Sequence, residues 1–175
     1  FHIEGYLVQN QDLLRKAVLL AKKHHVKVSL DLASFDVVRE NLNFLKEIIS
    51  AYVDIVFANE DEAYAFTGLE PAAALDEIYK MCDVAVVKTG RNGSLVKFEN
   101  MAYEIDIIKS NAIDTTGAGD LYAGGFLYGL ATGLSPRKCG QIGALLAGKV
   151  IEVLGAKMTS QAWQDILGQV KGISI

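Results

Sequence analysis

Apolar positions recur along this chain with two periods. Over residues 13–23 they fall at Leu13, Leu14, Ala17, Val18, Leu20 and Ala21. That spacing of three and four predicts a helix with one buried stripe. Residues 37–52 repeat it, with Val38, Leu42, Leu45, Ile48 and Ile49 on one side. Between these helices lie short, unbroken apolar runs at residues 26–32 and 53–58, which read as buried strands. Residues 6–8 and 84–87 give two more strand candidates. A helix starting at Glu60 is expected to stop at Gly68, and one over residues 71–81 carries Pro71 in its first turn. Residues 94–98 and 103–108 read as strands around a turn at Asn100. Three helices follow, over residues 121–134, 136–153 and 160–170.

Strands alternating with helices through the first half predict an α/β fold with a mostly parallel central sheet. Continuous apolar strands such as Asp54-Ile55-Val56-Phe57 imply helices on both faces of that sheet. The last two strands add an antiparallel edge hairpin. No linker or repeat divides the chain, so residues 1–175 read as one domain. Ligands of such sheets sit at the carboxyl ends of the strands.

Composition narrows the function. The net charge is −4 with no basic run, which argues against nucleic acid as the main partner. No apolar run reaches the roughly 18 residues of a membrane span. Residues 121–134 come nearest, and Gly125, Gly129 and Gly133, spaced by four, read as close packing of a buried helix. Two cysteines make no disulfide framework, so both are expected reduced and structural, in the cytoplasm. The three histidines offer no metal spacing. No Lys/Arg-flanked apolar leader opens the chain. It begins at Phe1 and enters a strand almost at once, as expected of a piece of a longer protein.

The chemistry concentrates in Asp114-Thr115-Thr116-Gly117-Ala118-Gly119-Asp120, between a strand and a helix. A Thr-Thr-Gly turn before a helix predicts capping by threonine hydroxyls. The glycines leave the first amides uncovered, and a helix start favours an anion. Asp120 is out of place beside a phosphate unless it takes a proton from an attacking hydroxyl. The plainer reading is a capped helix whose acid favours the dipole.

Two earlier loops add to this. After the strand at 53–58 comes Asn59-Glu60-Asp61-Glu62, where Asn59 and Glu62 share a helix face. They suit Mg²⁺ held through water, or simply a capped helix start. After the strand at 84–87 comes Thr89-Gly90-Arg91-Asn92-Gly93, a tight turn or a loop that lets backbone approach a nucleotide.

The heptapeptide matches, at all seven positions, the second signature of the PfkB carbohydrate kinase family, also called the ribokinase family. The spacing Asn59-x-x-Glu62 resembles the family's Mg²⁺- and phosphate-associated motif, and 89–93 resembles its nucleotide loop. The resemblance covers essentially the whole chain, as the C-terminal half of a member. Segments 57–60, 114–129, 139–140 and 151–156 look most like adenosine kinase-like bacterial sugar kinases. It implies an ATP-dependent phosphotransferase acting on a sugar or nucleoside hydroxyl. Asp120 would be the base, and the amides of Gly117, Ala118, Gly119 and Asp120 the anion hole. Thr89, Gly90 and Gly93 would line ATP, with Ala144 at the adenine wall. Asn59 and Glu62 would hold Mg²⁺ through water. Asp114 and Thr116, with the Gly155-Ala156 segment, would sit at a monovalent cation, K⁺. The acceptor-binding residues and a β lid, through which members can form homodimers, belong to an N-terminal half that this chain does not contain.

Other readings fare worse. Gly117-x-Gly119 meets Tyr122 where a dinucleotide fingerprint needs glycine. No Gly-Lys-Ser/Thr closes a P-loop. A nucleotide-binding module without catalysis stays as the alternative.

Overall fold

The structure is a computed structural model that describes Phe1–Ile175 throughout. The elements run β1 (His2–Glu4), α1 (Gln11–Lys23), β2 (Ser29–Asp31), α2 (Phe35–Glu40), α3 (Leu42–Tyr52), β3 (Ile55–Asn59), α4 (Glu60–Thr67), α5 (Pro71–Tyr79), β4 (Val84–Lys88), β5 (Ser94–Phe98), β6 (Met101–Ile105), α6 (Ala118–Ala131), α7 (Pro136–Val150) and α8 (Ser160–Ser174). The six strands form one mixed sheet in the order β1-β2-β3-β4-β5-β6. The first four are parallel, and β5 with β6 forms the antiparallel edge hairpin. The chain divides into two compact units, Phe1–Gly90 with Leu95–Ala102, and Arg91–Ser94 with Tyr103–Ile175.

In the first unit, Ile55, Val56, Phe57 and Ala58 of β3 are all buried, as are Val84 to Val87 of β4. Successive strand residues point to opposite faces, so both faces of these strands are covered. On one face, Val56, Ala58, Ala85 and Val87 share a core with Leu14 and Val18 of α1, Leu45, Ile48 and Ile49 of α3, and Ile78 of α5. Each such side chain contributes roughly 1.5–3 kcal/mol on full burial. Gly68, left-handed at φ 75°, ends α4, and Pro71 opens α5.

Two expectations fail here. Residues 6–8 are not a strand: β1 is His2–Glu4, and Gly5–Gln9 is a 3-10 turn. Gly5 lies so close to β2 that a Cβ there would stand 2.3 Å from the Asp31 carbonyl. The chain turns away at that point. Residues 37–52 are not one helix but two, broken at Asn41. The Asn41 side-chain amide donates to the Val37 carbonyl at 3.0 Å, competing with the helix's own backbone bonds. The final hairpin strand is also shorter than expected, ending at Ile105.

The second unit is built on α6, α7 and α8. Ile142, Leu145, Leu146, Val150, Met158, Ile166 and Val170 form its core. A Cβ on Gly125 would meet the Ile142 carbonyl at 2.9 Å, and one on Gly129 the Cys139 Cα at 3.0 Å. Gly125 and Gly129 therefore serve close packing of α6 on α7, as expected, whereas Gly133 lies past the end of α6, left-handed at φ 77°, with nothing within 4 Å of its Cβ position. No helix is long and apolar enough to cross a membrane. Cys82 and Cys139 are free thiols, and burial pushes them up to about 12 and about 11.

Candidate functional site

The carboxyl edge of the first unit's sheet gathers polar side chains that the sequence scatters. Strands β3 and β4 pair in parallel with Asn59 opposite Lys88, so the Asn59–Glu62 turn and the loop from Thr89 leave the same edge. Asn59 caps α4 in a reciprocal box. Its side-chain oxygen accepts from the Glu62 amide at 2.9 Å, and Glu62 Oε2 accepts from the Asn59 amide at 2.8 Å. The Asn59 side-chain amide also donates to Glu62 Oε1 at 2.6 Å. The capping reading and the shared-face reading are thus both true of the geometry.

Glu62 is 2% exposed, and burial raises its carboxyl to about 6. The Asn59 amide opposes that rise, nearby Asp31 adds to it, and Lys88 reduces it. Lys88 Nζ lies 2.7 Å from Asp31 Oδ2, with both side chains largely buried. Removing one member of such a pair typically costs about 3–5 kcal/mol, because the other stays buried and unpaired. The second Asp31 oxygen accepts from the Ala33 amide at 3.2 Å. Residue-by-residue reading missed this pair, whose members lie 57 positions apart. The available signal was a charged residue closing each of two apolar strands, Asp31 in β2 and Lys88 in β4.

A buried carboxylate that burial has made reluctant to ionise gains from a cation nearby. The Asn59–Glu62 pair therefore fits Mg²⁺ held through water. It does not form a protein cage: no group of three or more His, Cys, Asp or Glu is placed to hold a metal. Thr89 is buried, and Gly90–Asn92 make a 3-10 turn. Arg91 in that turn is exposed.

In the second unit, the heptapeptide makes the start of α6. Gly117 is its N-cap residue, left-handed at φ 77°. A Cβ there would be strained by that φ and would stand 2.7 Å from the Ala156 Cβ. Contrary to expectation, no threonine caps the helix. Thr116 instead turns back: its amide and hydroxyl both donate to Asp114 Oδ1, at 2.9 and 2.7 Å. The Ala118 amide bonds the Thr115 carbonyl at 3.2 Å. The amides of Gly117, Gly119 and Asp120 have no acceptor within the protein. A helix start with free amides and no capping side chain is suited to an anion.

Asp120 lies in the first turn, exposed, with no hydrogen bond or ion pair to occupy it. Asp114 is fully engaged by contrast. Its second oxygen accepts from the Gly155 amide at 2.8 Å, and these bonds hold its carboxyl below the usual range, those from Thr116 foremost. The Ile113 amide bonds the Ile151 carbonyl at 2.7 Å. The segment after α7 therefore braces the loop before α6. Thr116 Oγ1 donates to Asp114 and accepts no hydrogen bond itself. Ala144 is buried on α7, and Gly93 is left-handed at φ 89°.

The chain as a whole is similar to known proteins. The chain is 30% identical to a nucleoside kinase of Methanocaldococcus jannaschii over 145 residues, 81% of this chain and 48% of that protein. A probable sugar kinase of Rhizobium etli superposes with TM-score 0.89 at 32% identity, covering 97% of this chain and 53% of that one. An adenosine kinase of Sinorhizobium meliloti does so at 0.87 and 33% identity, covering 95% and 53%. The chain thus spans about half the length of the relatives it matches. The profile of the pfkB family carbohydrate kinases matches residues 1–163, and the chain belongs to that family.

Proposed function

We propose that the protein transfers the γ-phosphoryl group of ATP to a hydroxyl of a sugar or nucleoside, in the cytoplasm. The observation that carries this is the start of α6, where free amides at Gly119 and Asp120 adjoin an unpaired Asp120 carboxylate. A binding module gains nothing from a free acid beside a phosphate. A kinase needs one to take the acceptor's proton as the oxygen attacks.

In this reading the amides of Gly117, Ala118, Gly119 and Asp120 stabilise charge on the migrating group. Of the four, Ala118 would first give up its bond to Thr115. Thr89, Gly90 and Gly93 take the nucleotide phosphates and sugar, with Ala144 beside the base. Asn59 and Glu62 hold Mg²⁺ through water, and the ion when bound offsets phosphate charge. Asp114 and Thr116 accept K⁺. The acceptor is a sugar or nucleoside, as the names of the relatives suggest, and homodimers would form through a lid outside this chain.

The test is ATP turnover by the full-length protein against a panel of sugars and nucleosides. Acceptor-dependent ADP formation supports the reading. Tight ATP binding with no turnover on any acceptor would favour a non-catalytic nucleotide module.

A further inference from the structure

We propose that the buried hydroxyl pair Ser94–Tyr122 is a positioning device that fixes the Gly93 end of the nucleotide loop relative to the start of α6. The proposal rests on the nucleotide reading of Gly93 given above. Ser94 Oγ and Tyr122 Oη lie 2.6 Å apart. Ser94 is 2% exposed and Tyr122 5%, and each hydroxyl is the other's only side-chain partner. Both ends of the link are themselves held.

On one side, Gly93 precedes Ser94 directly and is pressed against the end of β6. A Cβ on it would overlap the Ile105 carbonyl. On the other side, the Tyr122 ring stacks on Phe126 with centroids 6.5 Å apart. A Cβ on Gly143 would reach two of the Tyr122 ring carbons at 3.2 Å, so the ring lies flush with α7 one residue from Ala144.

Tyr122 follows Asp120 by two residues, about 200° round the helix. Asp120 faces out and Tyr122 in, so the hydroxyl pair lies behind the turn that carries the free amides. A shift of Ser94 by a fraction of an ångström therefore moves Gly93 relative to that turn. A loop held slightly out of place binds the nucleotide less well, without any change in a group that touches the ligand.

A buried tyrosine hydroxyl also needs a partner for its own sake, and that plainer role makes a different prediction. Removing one hydroxyl strands the other. Removing both leaves nothing unsatisfied and is close to neutral for stability. The test measures KM for ATP, kcat and Tm for the full-length protein, Ser94→Ala, Tyr122→Phe and the double variant. A positioning link is absent from all three variants. KM should then rise about threefold to tenfold in each, the equivalent of one hydrogen bond. The double variant should recover Tm but not KM, with kcat within about twofold throughout. KM that follows Tm back in the double variant, or never moves, overturns the proposal.

If the wild type binds ATP without turnover, the phosphotransfer reading fails. The dissociation constant for ATP then replaces KM in the same comparison. A wild type that binds no ATP overturns both.

Discussion

Asp114 and Gly155 join two segments 41 positions apart through one hydrogen bond, from the Gly155 amide to Asp114 Oδ2 at 2.8 Å. The other Asp114 oxygen holds Thr116. One carboxylate thereby sets both the turn before α6 and its brace. Asp114→Ala should speed amide hydrogen exchange at residues 113–118 and 153–156 and raise KM for ATP. Unchanged exchange in both segments would mean that the backbone bonds to Ile151 suffice.

Gly117→Ala tests the cradle at the start of α6. A non-glycine residue in the left-handed region costs about 1–2 kcal/mol, which corresponds to a Tm loss of about 2–8 °C in a chain of this size. The added methyl also meets Ala156. Gly117→Ala with Ala156→Gly should recover the part due to that contact and leave the backbone part. Equal Tm for the single and double variants would show that the contact yields without cost.

Much of this was legible in the sequence, for reasons local to it. Asn59 and Glu62 sit three apart at a helix start, so their reciprocal bonds could be read from spacing. Gly68 and Pro71 mark helix ends by backbone conformation alone. Tyr6-Leu7-Val8 misled because its β-prone side chains say nothing of Gly5 being pressed against β2. Thr116 misled because a capping residue type does not reveal that Asp114, two positions back, takes its hydroxyl. The Lys88–Asp31 and Ser94–Tyr122 pairs depend on which strand lies beside which and on how α6 packs, and neither is encoded in neighbouring residues.

Glu62 makes stability depend on pH. Its carboxyl is raised from 4.5 to about 6 by burial, so the folded state holds the proton more tightly than the unfolded one. Its contribution is complete below pH about 4.5 and lost as the pH rises through about 6, a change of about 2 kcal/mol. Urea unfolding from pH 4 to 7 should show this component in the wild type and lack it in Glu62→Gln. Parallel curves for the two proteins would contradict the assignment.

Metal removal reads the Asn59–Glu62 and Asp114–Thr116 assignments separately. In chelator, turnover should be lost and return with Mg²⁺. Replacing K⁺ by a large organic cation should lower turnover while Mg²⁺ is held constant. Full activity in chelator would remove the first assignment, and indifference to the monovalent ion the second.

The proposed phosphoryl transfer depends on Asp120 acting as the base. Asparagine keeps the side chain's size and its place in the first turn but cannot take a proton from an acceptor hydroxyl. A positioned base contributes about 10²–10⁴-fold, so Asp120→Asn in the full-length protein should lose at least about two orders of magnitude in kcat. ATP affinity, measured by titration calorimetry, should stay level or improve, because a negative charge beside the phosphate is gone. Intact kcat with weakened ATP binding would rule out Asp120 as the base and make it a structural or metal-binding acid.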